Sequence, residues 1–149
     1  MFDIESEALK WASVYDMPIE IGMEGAYDGE RHAIYISQRL SPVQRRWVLA
    51  HEVSHARHND GRCHVSLHDQ MERRADMEAS RMLIDPVDYA SAEQVNDDTL
   101  WLAHELDVMP QTIISYRDWL HDSLVNPCVR DDRSLVSGLL NPYLHERRK

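Results

Sequence analysis

Residues 51–55 read His-Glu-Val-Ser-His, and this short run constrains the chain more than any other feature. Two imidazoles four positions apart, with a carboxylate beside the first, converge on one point only in an α-helix. At 3.6 residues per turn, positions 51 and 55 lie about 40° apart around the axis. The flanking residues call for a helix independently. Ser41, Pro42 and Gln44 combine an N-cap, a first-turn proline and a capping-box partner, and Asn59-Asp60-Gly61 is a plausible terminator. A helix is therefore predicted from about Pro42 to about His58. With nine His and 149 residues, about 0.04 copies of His-Glu-x-x-His are expected by chance, so the motif is informative without being decisive. The plainer alternative is a helix whose histidines are only polar neighbours.

In the first reading His51 and His55 bind one metal ion, and Glu52 lies within reach of its bound water as a general base. A catalytic zinc needs a third protein ligand and keeps its fourth position open. Downstream, Met71, Ala75, Ala79, Met82 and Leu83 recur with helical spacing, predicting a second helix from about Gln70 to Ile84 that ends before Pro86. It carries Glu72 and Asp76 four apart, hence on one face. Glu72 as metal ligand, with Asp76 accepting the outer N–H of a metal-bound histidine, would complete the site. The competing readings are a capping box between Asp69 and Glu72, and a solvated ion pair of Asp76 with Arg73 or Arg81.

At this point the residues resemble a family. LAHEVSHARH followed by ERRADMEASRMLIDP is similar to the ImmA/IrrE-type metallo-endopeptidases, small zinc proteins often encoded by phages and mobile elements, and to the wider gluzincin group. The resemblance spans roughly residues 15 to 90. It implies zinc held by His51, His55 and Glu72, with Glu52 as general base and Asp76 as the supporting partner. It further implies a protein substrate such as a phage or mobile-element repressor. Three positions depart from the pattern: Ser54 stands where glycine is usual, and Glu78 and Asp85 are acidic where small or apolar residues are common. The alternative function is a zinc-containing module that regulates a protein partner without cutting it.

The remaining chain predicts an α+β, zincin-like fold. Ile4, Ala8, Trp11, Ala12 and Tyr15 suit an amphipathic helix over residues 3–15. Ile19, Ile21 and the alternation in HAIYIS suit a small, mainly antiparallel sheet, whose HAIYIS strand could hold an extended peptide if it were an edge. Residues 99–106 and 111–125 read as two further helices separated by DVMP. The expected organisation is a metallopeptidase domain over 1–90 and a helical extension over 91–149.

Charge and cysteine content narrow the partners. Sixteen Lys plus Arg against 26 Asp plus Glu leave a net charge of −10, which disfavours nucleic acid. Leu102–Leu120 resembles a helix-turn-helix with Ala103, Leu106, Val108 and Ile113 or Ile114 as core positions. Yet from Val95 to Asn126 Arg117 faces six acids, so direct nucleic-acid binding is disfavoured and a packing or protein-docking role preferred. Two cysteines, Cys63 and Cys128, are too few for a disulfide scaffold, and the start MFDIESEALK lacks the features of a signal peptide. No apolar run is long enough to span a membrane, so a cytoplasmic location is expected. Cys63, His64 and His68 lack the spacing of a second zinc site. For the donor that steadies a developing oxyanion, His58, His64, His68, Tyr27 and Tyr35 stay open candidates. Trp11, Trp47, Trp101 and Trp119 are expected to be packing anchors.

Overall fold

The computed structural model describes residues 2–18, 24–60 and 67–125. Ile19 and Ile21, the cysteines Cys63 and Cys128, His64, and the terminal residues 126–149 lie outside the described residues. Contacts divide the chain into two units, Met1–Trp119 and Leu120–Lys149. The first contains all the architecture below except the last residues of the final helix.

The element order is α1 (Ile4–Ala8), β1 (Ser13–Met17), β2 (Gly25–Asp28), β3 (Ala33–Ser37), α2 (Pro42–His58), α3 (His68–Leu83), α4 (Pro86–Val95), α5 (Thr99–Glu105) and α6 (Pro110–Val125). The α+β class holds, with helices dominating the described residues from Pro42 onward. The first helix is much shorter than its spacing suggested. Ile4, Ala8 and Ala12 are buried, but Trp11 and Tyr15 are 41% and 50% exposed. The chain leaves the helix at Leu9 and continues as β1, where Val14 and Tyr15 favour an extended backbone.

The sheet order is β1-β3-β2, with β1 parallel and β2 antiparallel to β3. The sheet is therefore mixed rather than mainly antiparallel. β3, the HAIYIS strand, is central, and both its edges are already paired. Its expected role as a peptide-holding edge is not available to it. Ile34 and Ile36 face the core with no exposure, as period-two alternation requires.

The core is organised around α2. Ser41 accepts from the Gln44 backbone N–H at 3.3 Å, and the Gln44 side chain accepts from the Ser41 N–H at 3.0 Å, so the anticipated capping box is present. Asn59 closes the helix in the left-handed conformation, φ 54° and ψ 45°. Between these caps Val48, Leu49, Ala50, Val53 and Ala56 are buried among Ile4, Ala8, Ile34, Ile36 and Ala79. Ala75 and Ala79 have no exposure, and their small side chains let α3 lie close to α2.

Gly25 marks another close approach. A Cβ there would fall 2.5 Å from Val48 Cγ1 and 3.4 Å from Glu52 Cγ, so β2 crosses α2 where only glycine fits without displacement. Beyond α3, Asp85 accepts from the Val87 and Asp88 N–H groups and starts α4. This helix is not among those the apolar spacing predicts: Pro86 ends the periodic run of α3, yet it occupies the first turn of α4. Of the core positions expected in the helix-turn-helix-like segment, Ala103, Val108 and Ile113 are buried, Leu106 is only half-buried and Ile114 is exposed; Leu102 is buried as well.

Candidate metal centre

One turn of α2 separates His51 from His55, and α3 supplies Glu72 opposite them. His51 Nε2 lies 3.0 Å from His55 Nε2 and 3.2 Å from Glu72 Oε2, and His55 Nε2 lies 3.4 Å from Glu72 Oε1. Among the described residues these three form a group whose ligand atoms converge closely enough to share an ion. Four-coordinate zinc with bonds of about 2.0–2.1 Å has ligand-to-ligand edges of about 3.3 Å, which these separations match.

The outer ring nitrogens explain why the inner ones face each other. His51 Nδ1 donates to Asp76 Oδ1 at 2.9 Å, and His55 Nδ1 donates to Asp60 Oδ2 at 3.0 Å. A carboxylate only accepts, so each Nδ1 must carry the proton, and in a neutral ring each Nε2 then presents a lone pair. Two lone pairs and a carboxylate turned on one point repel unless a cation sits among them. The donor set therefore fits a metal ion by chemistry as well as by distance.

The alternative uses of the acids are not those observed. Asp69 lies within α3, whose N-cap Leu67 makes no side-chain cap bond, so Glu72 is not held in the anticipated capping box. Asp76 faces His51 across the α2–α3 contact. From the sequence Asp60 stands out only as part of the helix terminator, and its contact with His55 is a finding of the structure. A carboxylate five positions after the second histidine, just past the cap, was the available signal.

Glu52, next to His51 on α2, packs against β2 at Gly25 while its carboxylate stays close enough to His51, His55 and Glu72 to feel their charges. It is 8% exposed and accepts a hydrogen bond from the Tyr27 backbone N–H. Burial pushes its carboxyl above the ordinary glutamate range, with Glu72 adding to the rise, against the pull of His51, His55 and the Tyr27 N–H. For His51, burial opposes protonation. The bond to Asp76 and the charges of Glu52, Asp76 and Glu72 outweigh it, so its affinity for a proton is raised. The Glu52 shift is chiefly burial, whereas the rise at His51 comes from the carboxylates gathered around it, the setting in which a divalent cation is favoured.

The wall of the site is uneven. Trp47, one turn before His51, packs its ring 6.4 Å from the imidazole, while the Glu72 side chain is 40% exposed and marks the open side. His68, one turn before Glu72, reaches within 3.7 Å of Glu72 Oε1 and is well exposed. The other described candidates for oxyanion donor point elsewhere. His58 is bonded to Glu78 at 2.8 Å, the Tyr27 hydroxyl contacts His32 and Asn59, and Tyr35 stacks on Tyr15.

The departures from the family pattern compensate one another. Ser54, fully buried where glycine was expected, donates to Glu78 Oε2 at 2.8 Å. The other oxygen of Glu78 accepts from His58. The two unusual residues thus form a single polar link between α2 and α3, and Asp85 is accounted for as the α4 cap.

Residues 13–114, well over half of the chain, match peptidase family M78, described as the IrrE N-terminal-like domain. A 33-residue stretch is 52% identical to part of the radiation response metalloprotease IrrE of Deinococcus deserti, covering 22% of this chain and 12% of that protein.

Proposed function

This chain belongs to the IrrE N-terminal-like peptidase family, and from that membership and the site geometry we propose that it is a zinc-dependent endopeptidase. His51, His55 and Glu72 hold the ion in this reading. When bound, zinc supplies Lewis acidity, lowering the pKa of a water in its open position and polarising a scissile carbonyl. Glu52 takes the proton from the attacking water and returns it to the departing amine. Asp76 keeps the His51 ring in the tautomer that leaves Nε2 free. His68, beside Glu72 on the open side, is the best-placed described side chain to donate to a developing oxyanion.

The observation that carries the catalytic reading, rather than the non-cutting module, is Glu52. A carboxylate that is 8% exposed is expensive to keep there, and metal binding through the other three residues has no use for it.

The substrate we propose is a specific protein, such as a phage or mobile-element repressor, selected in part by the described helices α5 and α6. Arg117 supports protein rather than nucleic acid as partner. It is the single Lys or Arg between Val95 and Asn126, and it is occupied by Tyr89, Thr99 and the Asp97 carbonyl. No helix among the described residues is long and apolar enough to cross a membrane, which is compatible with the cytoplasmic location we propose.

The test is co-expression with repressors from the same genetic neighbourhood, comparing wild type with Glu52→Gln. Cleavage by wild type and a loss of about 10²–10⁴-fold in the variant, at unchanged zinc content, is expected. Equal cleavage by both would remove Glu52 from the mechanism, and equal partner binding without cleavage would favour the module.

A further inference from the structure

We infer that Asp60 is a positioning residue of the metal centre, holding His55 with its Nε2 toward the ion and tying that geometry to the helix that supplies Glu72. The inference rests on the proposed metal site. Asp60 follows α2 directly, and the left-handed turn at Asn59 brings it back beside the last helical turn. There its Oδ2 meets His55 Nδ1 at 3.0 Å. The Asp60 side chain is 8% exposed and the His55 side chain 11%, so the bond is shielded from water and not easily exchanged for a solvent contact.

The same oxygen accepts from the Arg74 guanidinium. Arg74 lies on α3 two residues past Glu72, so one carboxylate oxygen joins the end of α2 to the helix bearing the third candidate ligand. The guanidinium also offsets the charge of a carboxylate that would otherwise be unfavourable at such low exposure. An inter-helix tie alone would need Arg74 and Asp60 only. That the oxygen also receives His55 Nδ1–H gives the pair its second role, fixing the tautomer and the ring plane. Asp76, which serves His51 in the same way, is 33% exposed. The shielded Asp60 contact is therefore the more demanding of the two to lose.

The experiment measures metal affinity of the full chain by competition between zinc and a chromophoric chelator, together with the visible spectrum of the cobalt-loaded protein. Asp60→Ala is expected to weaken zinc binding about 10–100-fold and to alter the cobalt absorption envelope, which a mere loss of stability would not do. Asp60→Asn keeps an acceptor oxygen and is expected to recover part of the loss.

If Asp60→Ala does not fold, Asp60→Asn and the unmodified protein carry the test. Nitrogen-15 NMR of the zinc-loaded wild type should find His55 protonated at Nδ1. Protonation of His55 at Nε2, or zinc binding by the foldable Asp60 variants indistinguishable from wild type, would overturn the inference. His55→Ala and Glu72→Ala distinguish the failures: if they too bind zinc normally, the metal-site reading falls with the inference. If they lose zinc while the Asp60 variants do not, only the role of Asp60 is lost.

Discussion

Gly25→Ala is the substitution whose effect the structure specifies most sharply. The added Cβ would fall 2.5 Å from Val48 Cγ1, 3.3 Å from Ile36 Cδ1 and 3.4 Å from Glu52 Cγ. Carbon atoms pack comfortably at about 3.5–4.0 Å, so β2 and α2 must separate by about an ångström at this point. Val48 and Ile36 are 6% and 0% exposed, and neither can swing into solvent. Overpacking of this kind destabilises by about 1–3 kcal/mol, and the stiffer unfolded chain returns about 0.4–1 kcal/mol. A net loss of about 1–2 kcal/mol follows, or roughly 3–10 °C in Tm for a unit of this size.

The same displacement draws the Tyr27 N–H away from Glu52. Peptidase activity should therefore fall further than the folded fraction does, while zinc affinity stays within about twofold. The assay is thermal unfolding by circular dichroism, paired with activity and zinc titration. Val48→Ala in the same chain makes room for the new methyl, so the double variant should be more stable than the sum of the two single changes predicts. Strict additivity in that cycle, or a Gly25→Ala protein as stable and active as wild type, would refute the steric argument.

Two further outcomes follow from the same structure. Because the candidate ligand set exists only in the folded chain, zinc at about 100 times its Kd should add about 2.7 kcal/mol of stability, seen as a rise in Tm that a chelator reverses; a Tm unmoved by either would count against the site. Ser54→Ala removes the bond to Glu78, whose side chain is 22% exposed and can turn partly to water. A loss of about 1 kcal/mol in denaturant unfolding is expected, with zinc affinity unchanged, and a large loss of zinc instead would show that the link belongs to the metal centre.

Local grammar made the heart of the site readable. Ser41-Pro42-x-Gln44 encodes a helix start within four residues, and the histidine spacing is meaningful only on the helix so begun. The pairing of Asp76 with His51 follows from two helical faces and was legible for the same reason.

What escaped depends on distant chain. Nothing near Ser13–Met17 announces that it pairs with β3, so the apolar spacing of residues 3–15 read as one helix. The parallel pairing of β1 and β3 is equally non-local. Asp85-Pro86 carried the same start signal as Ser41-Pro42 but was read only for its proline. Asp60 was hidden because its partner His55 is reached through a positive-φ turn at Asn59, which periodicity does not express. The role of Gly25 is equally non-local, since it emerges only once Val48 is placed against it.

The central claim is that one ion is held by two imidazoles of α2 and one carboxylate of α3. Its most direct measurement is a crystal structure of the zinc-soaked protein with an anomalous difference map recorded at the zinc edge. The account predicts a single strong peak about 2.0–2.2 Å from His51 Nε2, His55 Nε2 and a Glu72 carboxylate oxygen. A map with no peak there, or with the ion held by other side chains, would contradict it.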